Sequence, residues 1–141
     1  DKITTYRYRL LQIENTGFTI QPKEFESIIT LPSSDFQKIC RDMNNMGADR
    51  VEIKSIDEKL VFSCKGDIAD QESIIGGGSN YSNANALVQG IFSLKFLLLF
   101  TKATNLCNTI DIYLANDYPI IIEYSVASLG TVRFLLMPIL E

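Results

Sequence analysis

The sequence predicts an α+β domain built from a duplicated β-α-β-β-β unit, with two helices packed on a largely antiparallel sheet. Two amphipathic helical segments each follow one apolar strand segment and precede three alternating ones. Corresponding elements lie about 59 or 60 residues apart, the mark of an internal repeat. Both helices also carry cations on their polar faces, although the net charge is −4.

Residues 6–13 alternate, with Tyr6, Tyr8 and Leu10 on one side and Arg7 and Arg9 on the other, which is the period of a strand with one wet face. The run from Glu14 to Glu24, rich in Asn, Thr, Gly and Pro, reads as a long exposed connector in which Phe18 and Ile20 are the isolated apolar residues. A strand at 26–31 leads through Pro32 to Ser33 or Ser34 as N-cap of a helix reaching about Met46. Phe36, Ile39, Cys40 and Met43 form its buried face, and Gly47 stands just past its end. Strands are expected at about 50–55, 60–65 and 67–75, then a flexible loop from Gly76 to Asn80. The second unit begins with a strand near 85–91. Ser93 caps a helix ending near Lys102, and strands follow at about 109–115, 119–126 and 131–137. Ile110, Ile112 and Leu114, then Ile120, Ile122, Tyr124 and Val126, give the clearest alternation.

Composition removes several classes of function. With no histidine, neither Ser-His-Asp nor Cys-His catalysis is possible, nor is a His-ligated metal. Cys40, Cys64 and Cys107 are odd in number and widely spaced, which disfavours a disulfide framework or a zinc site. They read as small buried hydrophobes in a reducing compartment, nucleus or cytosol. The longest greasy stretch, Phe96 to Phe100, is far shorter than the ~20 residues of a membrane span. DKITTYRYRL has no apolar signal core and no initiator Met, so a piece of a longer chain is expected. Gly76–Gly78 has no Gly-Lys-Ser/Thr after it to make a phosphate loop, and Asp35 with Asp42, or Asp67 with Asp70, has no converging partner. The expectation is a protein without catalytic residues, cofactor or metal.

What remains is electrostatic and apolar surface. Lys38, Arg41 and Asn45 recur as one stripe on the first helix, and Lys95 and Lys102 share a face of the second. At the C-terminus, Leu135 to Leu140 leaves apolar residues and Pro138 where a strand should be fraying, as at a partner groove.

Several segments together resemble the PCNA family of sliding clamps: LPSSDFQKICRDMNNMG, VFSCKGDI, VQGIFSLKFLLLFTKAT and PIIIEYSVASLGTVRFLLMPILE. The resemblance covers essentially the whole chain. It implies a DNA-clamp domain in which residues 1–9 are the last strand of a first clamp domain otherwise absent from this chain. Residues 10–25 would be the interdomain connecting loop and 26–141 the C-terminal domain. It further implies a full-length ring, a homotrimer acting in the nucleus on double-stranded DNA without reading sequence. Its partners would be a clamp loader, DNA polymerase and other PIP-box proteins of replication and repair. Carried over by position, the DNA-facing residues are Lys38, Arg41, Asn45, Lys95 and Lys102, with the apolar Leu98 where the family usually has a polar residue. The partner-peptide pocket comprises Phe18, Ile20, Pro119, Leu135, Met137, Pro138 and Leu140. The subunit interface comprises Ile3, Tyr6, Tyr8, Ile68 and Ile74. Two other readings stay open: a checkpoint or archaeal-like clamp paralogue, and a free-standing interaction module that never encircles DNA.

Overall fold

A computed structural model describes residues 1–10, 25, 27–76, 79–82 and 87–140. The first unit runs β1 (Ser27–Pro32), α1 (Ser33–Asn45), β2 (Arg50–Ile56), β3 (Lys59–Lys65) and β4 (Asp70–Gly76). A short β5 (Ser79–Ser82) precedes the second unit, β6 (Val88–Ser93), α2 (Leu94–Phe100), a 3₁₀ turn (Thr101–Leu106), β7 (Thr109–Leu114), β8 (Ile120–Val126) and β9 (Gly130–Leu136). The repeat is therefore real, and each unit lends its first strand to the other. One sheet has the order β5-β1-β7-β8-β9 and the second β4-β3-β2-β6. All pairings are antiparallel. The expected sheet layer is thus divided in two.

Both sheets and both helices enclose one core. Ile110, Ile112 and Leu114 of β7 and Ile120, Ile122 and Tyr124 of β8 point inward, as alternation demands. From the other sheet come Val51, Ile53, Leu60 and Phe62. Helix α1 buries Phe36, Ile39, Cys40 and Met43. Phe36 meets Phe62 with ring centroids 6.1 Å apart, and Phe100 of α2 stacks on Phe134 of β9 at 4.7 Å, so each helix ties itself to both sheets. Between β1 and β2, the buried Ser27 and Ser55 hydroxyls share a 2.7 Å hydrogen bond.

The helix starts obey the same exchange. The Ser33 N–H donates to the Asn108 carbonyl just before β7, and the Leu94 N–H donates to the Asp49 carbonyl just before β2. This overturns the expected side-chain caps. Neither Ser33 nor Ser93 caps its helix through its hydroxyl, because the Ser33 hydroxyl donates instead to the Cys107 carbonyl at 2.6 Å. The other end of α1 follows expectation, Gly47 taking φ +81 beyond the last turn.

Three further differences have local causes. The α-helical part of α2 ends at Phe100, not near Lys102. There the Thr101 hydroxyl donates to the Leu98 carbonyl at 2.6 Å and Thr104 to the Thr101 carbonyl at 2.5 Å, back-bonds that favour the tighter 3₁₀ turn. The expected Gly76–Asn80 loop is narrower, since Gly76 ends β4 and Ser79 begins β5, which pairs with β1. The strand expected at 85–91 runs on to Ser93, with residues 83–86 outside the described set. Residues 1–10 belong to no helix or strand of this chain, and residues 11–24, with Phe18 and Ile20, lie outside the described residues.

Two outcomes follow from this core. Gly90 faces inward, and a Cβ there would stand 2.7 Å from the ring of the fully buried Phe92. Gly90→Ala is expected to cost about 1–3 kcal/mol by overpacking, read as a lower urea midpoint at unchanged slope. Burial pushes the Cys40 thiol from 9.0 up to about 12 and, likewise, the Tyr124 phenol from 10.0 up to about 12. Above pH 9 the unfolded chain therefore binds fewer protons than the folded one, so stability should fall as pH rises from 9 towards 12. Denaturant titrations across that range measure it.

Candidate functional site

Two surfaces carry the predicted residues, on opposite kinds of scaffold. The first is the helical layer. Packing on the core leaves the outward sides of α1 and α2 to solvent, and Lys38, Arg41, Asn45, Lys95 and Lys102 are all exposed there. Lys95 stands on α2 and Lys102 on the 3₁₀ turn, so they do not share one continuous α-helical stripe. The layer holds together because α1 packs against both α2 and the turn, Gln37 Nε2 reaching the Thr101 carbonyl at 3.4 Å. Leu98, the apolar residue between the two lysines, is half-buried against the core. Phe96 and Leu99 are the apolar side chains this helix exposes instead, each at 46%.

The second surface is the outer face of the five-stranded sheet. Register sets Ile28 beside Tyr113, Tyr113 beside Ile121 and Ile121 beside Leu135, an apolar row crossing β1, β7, β8 and β9. Phe25 meets Tyr113 edge-to-face at 5.4 Å and Tyr118 at 5.6 Å, next to Pro119. A polar row lies alongside: the Thr30 hydroxyl donates to Asp111 Oδ1 at 2.6 Å, and Arg133 pairs with the nearly buried Glu123. Burial first, then the Glu123 and Asp111 carboxylates, raise the Tyr113 phenol above 10.0, which keeps this aromatic row uncharged at neutral pH.

Of the predicted pocket residues, Leu135 lies in the apolar row and Pro119 is buried beside Tyr118. Met137 is 66% exposed. Pro138 and Leu140 sit elsewhere. The Ile139 N–H donates to the Ile91 carbonyl at 2.7 Å, drawing the tail to β6, where Pro138 and Leu140 line a cavity of about 480 Å³ with Leu87, Gly90, Asn116 and Asp117. Asn116 braces this end, accepting from the Gln89 N–H at 2.9 Å and donating to the Leu87 carbonyl at 3.2 Å. Sequence reasoning missed Phe25, Tyr113, Tyr118 and Ile121. Tyr113 and Ile121 were legible in principle, being the out-of-phase positions between core residues of β7 and β8.

Of the predicted interface residues, Ile3, Tyr6 and Tyr8 are exposed, as are Ile68 in the turn before β4 and Ile74 on that edge strand. Among the described residues no group of three thiol or carboxylate side chains could hold a metal ion, and no helix is long and apolar enough to cross a membrane.

The family model described as "Proliferating cell nuclear antigen, C-terminal domain" matches residues 19–139. The chain belongs to this family. It is 34% identical over 147 residues to "Probable DNA polymerase sliding clamp 1" of Paramecium bursaria Chlorella virus 1, covering all of this chain and 56% of that protein. It is also similar to the crystal structure of proliferating cellular nuclear antigen from Entamoeba histolytica, with a TM-score of 0.81 and 25% identity over 92% of this chain and 52% of that one. The chain thus spans about half the length of these relatives.

The Arg133–Glu123 pair tests how the outer face is held. Arg133→Met leaves the nearly buried Glu123 carboxylate unpartnered and should cost about 1–3 kcal/mol, most of it recovered by adding Glu123→Gln. A double-mutant cycle in urea measures both.

Proposed function

We propose that this chain is the C-terminal half of a DNA sliding clamp, a processivity factor without catalytic activity. The full-length protein would form a ring around duplex DNA and act in the nucleus. Residues 1–9 would be the last strand of the preceding clamp domain, 10–25 the connector between domains and 26–141 the C-terminal domain. The observation that carries the reading is the placement of Lys38, Arg41, Lys95 and Lys102 on one solvent-facing helical layer of a chain with net charge −4. Cations on helices with no base-reading groups around them suit sliding contact with phosphates, a weak attraction that salt screens. Asn45 adds a neutral hydrogen-bonding group at the end of α1.

The apolar sheet face and the adjoining tail suit partner peptides of the PIP-box class, delivered by DNA polymerase and repair proteins. Leu135, Met137 and Pro119 would receive an apolar plug, beside Pro138 and Leu140 and the connector's Phe18 and Ile20. A clamp loader would open the ring. Ile3, Tyr6, Tyr8, Ile68 and Ile74 would lie where neighbouring subunits meet.

Replacing Lys38, Arg41, Lys95 and Lys102 together by Glu in the full-length protein separates the two surfaces. Polymerase stimulation on primed DNA should fall at least about tenfold while affinity for a PIP-box peptide changes less than about twofold. Unchanged stimulation would remove the DNA role from this layer.

A further inference from the structure

Residues 1–10 and the open edge of β4 carry complementary surfaces. Every residue of 1–10 is exposed, and none belongs to an element of its own chain. As a strand this segment has an apolar side, Tyr6, Tyr8 and Leu10, and a cationic side, Arg7 and Arg9. Strand β4 is bonded to β3 and to no other strand among the described residues, which leaves its outer edge open. Its Gln71, Ser73 and Ile75 stand opposite the inward-facing Cys64, Phe62 and Leu60, so Asp70, Glu72 and Ile74 face outward. The sheet surface beside them is acidic. A groove of about 700 Å³ is lined by five carboxylates, Glu52, Asp70 and Glu72 among them, against the two cations Arg50 and Lys65.

Resting on the ring reading above, we propose that the contact between subunits is selective for copies of this chain. Arg7 and Arg9 of one copy form an ionic layer with Asp70 and Glu72 on the β4 edge of the next. The tyrosine side must turn inward, where it continues the half-buried Ile75 and the core behind it. A slip by one residue would drive both arginines toward that core. With the tyrosines inward, either antiparallel register places Arg7 against a carboxylate. Setting Ile3 opposite Ile74 brings Arg7 opposite Asp70; moving two residues brings Arg7 opposite Glu72 and Arg9 opposite Asp70. A chain bearing the same sign on both elements would repel its own copies and need a different subunit. Here the signs are opposite within one chain, which selects self-assembly over assembly with a differently charged paralogue.

Analytical ultracentrifugation of the full-length protein at low and high salt provides the test, with circular dichroism confirming that each variant is folded. Arg7→Glu with Arg9→Glu, or Asp70→Lys with Glu72→Lys, should each weaken self-association at least about tenfold. An equimolar mixture of these two variants, or all four substitutions in one chain, should recover it to within about threefold. A wild-type protein that stays monomeric at micromolar concentration overturns the ring reading itself. Assembly of the wild type that is insensitive to either reversal, or reversals that do not rescue one another, overturns the ionic layer while leaving the ring in place.

Discussion

The placement of every surface on this molecule depends on how its two helices are buried. Each unit gives its first strand to the other unit's sheet, so neither sheet is complete without both halves of the chain. The helices fill the space this exchange creates. Phe36 and Met43 of α1 and Leu94 and Leu97 of α2 are fully buried there. Removing side chains of this size from a core typically costs about 2–5 kcal/mol each, far more than a surface charge contributes. The rotation of each helix is therefore set from inside, and the cations on its other side are presented to solvent as a consequence.

The sheets obey the same logic with a period of two. Because Ile110, Ile112 and Leu114 must face the core, Asp111 and Tyr113 must face outward, and because Ile120, Ile122 and Tyr124 face inward, Ile121 and Glu123 cannot. Antiparallel register then lines up residues of like character: Tyr113, Ile121 and Leu135 in one row, Asp111, Glu123 and Arg133 in the next. One apolar band bordered by an ion pair is what a partner surface of modest size requires, a greasy centre with a polar margin.

How much of this could be read from the sequence depended on whether the determining interaction was local. Both helices, all six middle strands and the C-terminal Gly47 of α1 could be read because periodicity and a positive-φ glycine are local properties. The start of α1 could not, since Ser33 is held by Cys107 and Asn108, far away along the chain. Strand β5 was hidden by its Gly-rich approach; what makes it a strand is pairing with β1, and no property of its own four residues announces that. Lys102 was placed on the same helical face as Lys95 because seven residues is a helical spacing. Two threonine hydroxyls changed the winding between them. The separation of Pro138 and Leu140 from Leu135 came from one backbone hydrogen bond to Ile91, which no pattern of side chains encodes.

The net charge of −4 and the proposed attraction to DNA conflict only if charge acts as a sum. At physiological ionic strength the Debye length is about 8 Å, shorter than the thickness of a sheet with a helix packed on it. A phosphate near α1 therefore responds to Lys38 and Arg41 far more than to Asp70, Glu72 or Glu52 on the other face of the core. The same screening keeps the carboxylates of the β4 edge legible to an incoming arginine at short range while contributing little elsewhere. Excess acid on the outer sheet and edge, with cations confined to the helices, also discourages DNA from resting on the wrong side. The acidic balance that seems to argue against a nucleic-acid partner is, in this arrangement, part of what directs the partner to one face.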